Sequence, residues 1–224
     1  MRGTFSSKLV ELAQSNPQVL LLTGDHGYGL FNSLRKAHPQ QFINMGIAEQ
    51  NMVGVAAGLS RVGFKPIVYG LSAFIPIRVL EQIKLDVCHD NLPIIFIGDG
   101  AGFVYSHLGT SHQSTEDIAV TRAIPNLIVM SPGDRFELSR CIDLAYASNL
   151  PVYLRLGKAD RGDVHSKSLD FNLGDLIFLK KPAGLSSSAT LVVTGSMLKM
   201  ATILCERFPS LGLVSAPSLK PINE

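Results

Sequence analysis

The chain contains 224 residues, of which 46% are hydrophobic and 17% charged, and its formal net charge is +2. This length allows one large domain, or one domain followed by part of a second. The small net charge gives no indication of binding to nucleic acid or to an anionic membrane, and no apolar run approaches the roughly 20 residues that span a bilayer.

The N-terminal residues also lack the apolar stretch of a signal peptide. The three cysteines, Cys88, Cys141 and Cys205, are odd in number and widely spaced. They form neither a disulfide framework nor a metal-ligand pattern, which is typical of proteins in a reducing compartment. We therefore predict a cytoplasmic protein that ligates no metal ion by itself. A zinc site built from Cys88, His107 and His112 is an alternative that the spacing does not favour.

Helical and strand-like patterns alternate along the first part of the chain. The run 19–23 (Val-Leu-Leu-Leu-Thr) is short and almost wholly apolar, which is typical of a strand covered on both faces. The predicted elements are a helix at 4–14, a strand at 19–23, a helix at 30–37, a strand at 41–44, a helix at 48–61, a strand at 66–69, a long helix at 73–89, a strand at 92–98, a loop at 99–114, a helix at 116–123, a strand at 127–130, a helix at 134–147 and a strand at 151–156.

This alternation predicts an α/β domain over residues 1–158, in which helices flank a parallel sheet. Residues 159–188 carry charges, a Lys-Lys-Pro turn and a serine run, and we interpret them as a linker. The remainder, 189–224, has the pattern strand, helix, strand, which is too little for an independent core. We therefore interpret it as the start of a second, truncated α/β domain.

The candidate functional residues all follow predicted strands. Asp25 comes after the first strand, Glu49 after the second, Phe74 after the third, and His112 lies in the loop after the fourth. Ligands of open α/β sheets bind beyond the carboxyl ends of the strands. These four side chains are therefore predicted to line one crevice.

Glu49 is the most informative of them, because it stands at the start of a helix made mostly of small or apolar residues. Charged side chains are rarely buried without a function. On position alone, however, an acid that stabilises the first turn of a helix is the favoured explanation. Gly54 and Gly58 lie one turn apart in the same helix, at a cost of about 1 kcal/mol each relative to alanine. They predict close packing of this helix against the sheet or against a partner.

Segments in a consistent order along residues 17–158 resemble the pyrimidine-binding domain of transketolase. Each match is short, but their order and spacing together are specific. The matching segments are 44–52 (Asn-Met-Gly-Ile-Ala-Glu-Gln-Asn-Met, resembling the catalytic-glutamate motif), Phe74 with Arg78 and 81–83 (the aromatic-and-helix segment), 111–113 (Ser-His-Gln, resembling the Thr-His-Gln loop), 125–126, 131–134 and 154–155, with 219–221 resembling an early segment of the C-terminal domain of the family.

The chain contains no counterpart of the diphosphate-binding half of these enzymes, so it resembles the C-terminal subunit of a transketolase encoded by two genes. This resemblance implies transfer of a two-carbon ketol unit from a ketose, phosphorylated or otherwise modified, to an aldose. It implies thiamine diphosphate as cofactor, with Mg²⁺ bound mainly by the partner. The implied partner is a diphosphate-binding N-terminal subunit in a heterotetramer. Single-chain deoxyxylulose-phosphate synthases share the design.

The resemblance also assigns roles on the cofactor side of the site. Glu49 would be catalytic, because a carboxyl group that hydrogen-bonds the pyrimidine N1′ atom activates the cofactor. Phe74 would stack on the aminopyrimidine, with Asp25, Leu71 and Arg78 completing the cofactor site. The alternatives are an ordinary core position for Phe74 and a turn residue for Asp25.

On the substrate side, His112 would donate to the reacting oxygen or transfer a proton. His107 and Tyr105 would line the same pocket. Arg155 would bind a substrate phosphate, although a structural ion pair is an equally good interpretation. His26, beside Asp25, is expected to be an ordinary loop residue.

Two positions depart from the family pattern. Transketolases usually have an aspartate four residues before the loop histidine, and this aspartate contacts a hydroxyl of the donor sugar. This chain has Leu108 there, and Gly100 stands where many members of the family have a donor-binding histidine. These departures predict a donor other than the usual ketose phosphates, with Leu108 facing the substrate.

Two other functions remain open at this point. The beta subunit of a 2-oxo acid dehydrogenase has the same architecture, although the sequence of residues 46–52 (Gly-Ile-Ala-Glu-Gln-Asn-Met) argues against this function. A non-catalytic regulatory or interaction subunit would also keep the fold. Leu108, Gly100 and the short C-terminus favour that alternative, whereas Glu49, Phe74 and His112 oppose it.

Overall fold

A computed structural model describes residues 1–157, 161–183 and 189–223. Helices and strands alternate through most of this length, as predicted. The elements are α1 (Arg2–Ser15), β1 (Val19–Thr23), α2 (Asn32–Ala37), β2 (Phe42–Asn44), α3 (Glu49–Arg61), β3 (Lys65–Leu71), α4 (Leu80–Gln82), β4 (Ile95–Asp99), α5 (Asp117–Ala123), β5 (Ile128–Met130), α6 (Arg135–Ala147), β6 (Val152–Leu156), β7 (Ile177–Lys180), β8 (Ala189–Val193), α7 (Leu198–Arg207), β9 (Leu211–Ser215) and β10 (Ser218–Lys220).

The main sheet of the described residues has the strand order β10-β5-β6-β4-β3-β1-β2. All neighbouring strands are parallel except β10, which runs antiparallel to β5. Because the parallel strands share one direction, the loops after β1, β2, β3 and β4 emerge at the same edge. The predicted fold class, a parallel sheet flanked by helices, is confirmed.

Helices cover both faces of this sheet. Leu21 of β1 belongs to the core beneath α1 and α6, whereas its neighbours Leu20 and Leu22 belong to the core beneath α3. All five residues of β1 are buried, as predicted from their unbroken apolar run. None of the helices in the described part of the chain is long and apolar enough to cross a membrane.

The prediction of one long helix at 73–89 is wrong for the first half of that range. The second half is helical, but irregular. The chain makes a buried turn, then a 3₁₀ turn (Ile77–Val79), the single α-turn α4 and a π-helical stretch (Ile83–Cys88). Pro76 cannot donate to a helical ladder. In addition, a side chain at Gly70 would lie only 2.8 Å from Ile75, so this glycine lets Ile75 pack against β3.

The remaining residues form a smaller sheet in the order β7-β9-β8, covered on one side by α7. Strand β7 lies inside the range 159–188 that the sequence predicts as a linker, and it pairs antiparallel with β9. Phe171, in the same range, packs into the main core. Residues 159–160 and 184–188 of this range lie outside the described residues. Strand β10 returns to the main sheet, and the exact domain limits stay a prediction.

A buried histidine anchors the segment before β7 to the start of α6. Asp134 caps α6 by accepting from the backbone N–H groups of Phe136 and Glu137, both at 3.0 Å. Its other oxygen lies 2.9 Å from Nδ1 of His165, and His165 Nε2 lies 3.9 Å from Glu137. Burial lowers the pKa of His165, but the hydrogen bond and charge of Asp134, helped by Glu137, outweigh it and raise this pKa above the ordinary value.

This cluster predicts a loss of stability at alkaline pH. Because the pKa of His165 is raised in the folded chain, its contribution is complete below the ordinary value of 6.5 and disappears as pH rises through the folded pKa. A tenfold difference in proton affinity between the two states corresponds to about 1.4 kcal/mol. Urea unfolding between about pH 6 and pH 9 should show this decline in the wild type but much less of it in His165→Asn. The exposed His89→Asn is the control, and an unchanged pH slope in His165→Asn would contradict the assignment.

Candidate active site

Glu49 is the first residue of α3 and is only 3% exposed, so it is a buried carboxylate. One oxygen, Oε2, accepts a hydrogen bond from Nη1 of Arg78 at 3.0 Å. The other, Oε1, is buried and has no hydrogen-bond partner among the described residues. A side chain at Gly24 would lie 3.1 Å from the Gly46 carbonyl oxygen and in ordinary contact, 3.7 Å, with the Glu49 Cγ, so this glycine lets the loop after β2 pass close to the end of β1. The loops after β1 and β2 therefore meet at Glu49.

Phe74 lies at the centre of a group of rings and charges. Its own ring is nearly buried, and the Arg78 guanidinium lies 4.2 Å from the ring centroid. The ring of His112 meets it edge-on at 5.3 Å with an interplanar angle of 67°. The ring of His26 lies 5.8 Å away at 30°. The structure thus brings Phe74, Arg78 and His112 together with Glu49, four of the residues singled out from the sequence.

Asp25 lies at the same edge, but its carboxylate is engaged within its own loop. Oδ1 accepts from the Tyr28 hydroxyl at 2.5 Å and from Asn44 Nδ2 at 3.2 Å. These two hydrogen bonds, that of Tyr28 first, lower the pKa of Asp25. The residue also adopts φ +61°, a left-handed conformation that aspartate tolerates better than most residues. A direct contact of Asp25 with a cofactor stays a prediction.

The loop between β4 and α5 is closed at its neck by paired backbone hydrogen bonds between Gly102 and Ser114, at 2.8 and 3.1 Å. Inside the loop, Tyr105 packs against a small apolar cluster that includes Leu71 and Phe74. A side chain at Gly100 would lie 2.2 Å from the Tyr105 ring. Tyr105 therefore fills the space that a larger residue at position 100 would take.

The tip of this loop is more open than its base. A 3₁₀ turn, Ser106–Leu108, carries two further predicted substrate residues, His107 and Leu108. Leu108 is 48% exposed, and His107 is exposed with its ring 6.5 Å from that of Tyr105. The described contacts do not bring either side chain to Phe74 or Glu49. Their roles toward a substrate stay predictions.

Arg155 is held by a buried ion pair. Its Nε donates to Asp117 Oδ2 at 2.7 Å, and Nη2 donates to Oδ1 at 3.3 Å. The same Oδ2 accepts from the Tyr153 hydroxyl at 2.7 Å, and Asp117 is fully buried. The structural ion pair considered from the sequence is therefore present. Because the guanidinium also borders a small cavity with Arg161 and Ser196, phosphate binding stays a prediction.

His26, which the sequence predicts to be an ordinary loop residue, also has its ring at this edge. Its backbone carbonyl accepts from Thr23 Oγ1 at 2.9 Å, which fixes the turn, and its half-buried ring reaches Phe74. Burial lowers the pKa of His26, against the opposing charges of Glu49 and Asp25, so the neutral ring is favoured. Its position one residue after Asp25, at the end of a buried strand, was the available signal.

The fold and the site define a class of protein: an α/β domain that presents a buried carboxylate, an aromatic ring and two histidines at the carboxyl edge of a parallel sheet. Within residues 1–157, 161–183 and 189–223, no group of three His, Cys, Asp or Glu side chains is placed to hold a metal ion. The chain belongs to the transketolase pyrimidine-binding domain family, whose model matches residues 1–162.

Particular relatives narrow this assignment. The chain is 31% identical to an apulose-4-phosphate transketolase subunit of Phocaeicola vulgatus, over 99% of this chain and 72% of the relative. It is 42% identical to 1-deoxy-D-xylulose-5-phosphate synthase of Natranaerobius thermophilus, over 67% of this chain but only 24% of that protein. A solved split-gene transketolase, described as an inactive beta4 tetramer, superposes with a TM-score of 0.86 and 35% identity, covering 99% of this chain and 72% of that one. Neither the 2-oxo acid dehydrogenase interpretation nor the regulatory one is favoured by these relatives.

Proposed function

We propose that this chain is the pyrimidine-binding, C-terminal subunit of a two-subunit transketolase. The observation that carries the proposal is the free oxygen of Glu49. A buried carboxylate oxygen without a partner is costly, because desolvation is not repaid. The ring nitrogen N1′ of thiamine diphosphate is a group that would satisfy it.

The residues around Glu49 fit that cofactor. Arg78 holds Oε2, so the direction of Oε1 is set by a 3.0 Å contact. The same Arg78 guanidinium lies 4.2 Å from the centroid of the Phe74 ring, and the ring of His112 meets Phe74 edge-on at 5.3 Å. When bound, thiamine diphosphate supplies the nucleophilic carbon that carries the two-carbon unit. The protein residues then bind, orient and exchange protons: Glu49 at N1′ and His112 at the substrate oxygen.

A partner subunit would supply the diphosphate and Mg²⁺ sites. Several large apolar side chains in the loops at the carboxyl edge of the main sheet remain 48% to 78% exposed. Such a cluster around one site is unusual for residues of this type. They follow β1, β2 and β4, so they surround the mouth of the crevice. These side chains are Tyr28, Ile47, Phe103 and Leu108. We propose that they are covered by a diphosphate-binding subunit in a heterotetramer, in the cytoplasm.

The outer face of α3 offers a second surface for assembly. A side chain at Gly54 or at Gly58 would meet nothing within 4 Å. The close packing predicted from these glycines is therefore not made by the described part of this chain. A neighbouring subunit could approach the backbone of α3 there.

The substrate would be a ketose donor and an aldose acceptor. Leu108 offers no hydrogen bond where the family has an aspartate, which favours a phosphorylated ketose with a hydroxyl missing or modified near that loop. The relative that acts on apulose 4-phosphate is consistent with an unusual sugar, although its substrate belongs to that protein alone.

The proposal is tested by titrating thiamine diphosphate in the presence of Mg²⁺ into this chain, the co-purified partner and the complex, using calorimetry. We expect the complex to bind at least about 100-fold more tightly than either chain, equal to about 2.7 kcal/mol. Ketol transfer from D-fructose 6-phosphate and other ketose phosphates is then measured on the loaded complex. Equal affinity of the isolated chain and the complex would contradict a shared site, and oxidant-coupled decarboxylation of 2-oxo acids would indicate the dehydrogenase alternative instead.

A further inference from the structure

His26 has two features of a ligand-binding side chain. Its ring is half-buried at the same edge as Glu49 and lies 5.8 Å from the ring of Phe74. Neither of its ring nitrogens makes a hydrogen bond to another of the described residues, although the backbone carbonyl of His26 does. Neither nitrogen is among the fully buried polar atoms that lack a partner, so both are open to solvent or to a ligand at the same edge as Glu49.

The charges around His26 belong to the candidate site. Glu49 and Asp25 favour its protonated form, while His112 and Arg78 oppose it, and burial outweighs them all in lowering its pKa. A neutral imidazole carries one donor and one acceptor. Either nitrogen can pair with a sugar hydroxyl, because a hydroxyl group both donates and accepts.

His26 and His112 both contact Phe74, one from the β1 loop and one from the β4 loop. The space beside the Phe74 ring is therefore bordered by two imidazoles. Leu108 supplies no polar atom to this crevice. A polyhydroxylated ligand would need its hydrogen bonds from other side chains, and the free nitrogens of His26 are available for that purpose.

We propose that His26 is a substrate-binding residue, whose ring hydrogen-bonds a hydroxyl or carbonyl oxygen of a ketose phosphate held beside Phe74 and His112. This proposal rests on the proposed function. It assigns His26 to the donor sugar, whereas Glu49 serves the cofactor.

Three substitutions in the reconstituted complex test the assignment. His26→Phe keeps a flat ring but removes both hydrogen-bonding atoms. We expect the KM for D-fructose 6-phosphate, or for another ketose phosphate that the wild-type complex uses with a lower KM, to rise about tenfold, equal to about 1.4 kcal/mol, with kcat and the affinity for thiamine diphosphate little changed. His26→Asn and His26→Gln place an amide where Nδ1 or Nε2 lies, and one of the two should recover most of the loss. His89→Phe, at an exposed position, is the matched control.

A second readout needs no turnover. In NMR spectra of the histidine rings, the signal that disappears in His26→Phe should shift when the ketose phosphate used for the KM measurement is added to the wild-type complex, while the signal of His89 stays unchanged. An unaltered KM in His26→Phe, or a weakened affinity for thiamine diphosphate in that variant, would overturn the assignment to the sugar. A wild-type complex that binds no thiamine diphosphate would instead overturn the proposed function, and this inference with it.

Discussion

Replacing Glu49 with glutamine is expected to lower the ketol-transfer rate of the reconstituted complex by about 100-fold or more, the range typical of removing a proton-transferring group. Glutamine keeps the size of the side chain and its hydrogen bond to Arg78, but it cannot provide the carboxylate that favours a proton on N1′. Turnover of D-fructose 6-phosphate, or of a ketose that proves to be a better donor, is the measurement.

Glu81→Gln is the matched control for this prediction, because Glu81 is an exposed residue. Affinity for thiamine diphosphate is measured on both variants, so that loss of binding is separated from loss of activation. If Glu49→Gln keeps more than half of the wild-type rate in a complex that binds the cofactor, Glu49 is not the activating residue. A non-catalytic regulatory subunit would then be the favoured interpretation of this chain.

Replacing Asp117 with asparagine should lower the free energy of unfolding by about 3 kcal/mol or more, because it leaves the mostly buried guanidinium of Arg155 without its counter-charge. The Arg155 side chain is only 18% exposed and that of Asp117 is fully buried. Tyr153 can still donate to an amide oxygen, so the lost charge is the main change. Urea unfolding followed by far-ultraviolet circular dichroism, at fixed chain concentration, measures the effect.

The contrast for this prediction is Asp90→Asn, which removes the partner of Arg61 in a pair that is 42% to 47% exposed. Exposed pairs contribute about 1 kcal/mol or less. A double variant, Asp117→Asn with Arg155→Gln, should recover part of the stability lost in the single variant, because no unpaired charge remains. Equal losses in the free energy of unfolding for Asp117→Asn and Asp90→Asn would show that the buried pair contributes no more to stability than the exposed pair.

The positions of most strands in the main sheet were predictable from sequence, because these strands are short apolar runs separated by helical patterns. β1, β3, β4, β5 and β6 all lie within a few residues of the predicted positions. Strands β7 and β10 were not predicted. Each has only three or four residues, and each forms by pairing with β9 or β5 elsewhere in the chain, which no local pattern reveals.

The sequence indicated which residues form the candidate site, but it indicated few of the contacts between them. Glu49, Phe74 and His112 follow three different strands, and the parallel sheet brings them to one edge. Nothing in the local pattern indicated that Arg78, 29 positions from Glu49, would hold one of its oxygens. Nor did the local pattern indicate that the ring of His26 would lie beside that of Phe74, 48 positions further along the chain.

The sequence by itself determined the fold class, the family and the placement of Glu49 at the start of a helix, since these follow from local periodicity and short motifs. The tertiary structure alone decided that Glu49 keeps one free oxygen, that Asp117 engages Arg155 and that Tyr105 fills the space beside Gly100. These features follow from how the side chains pack in three dimensions. They depend on distances of a few ångströms that only the packed sheet and its turns can set.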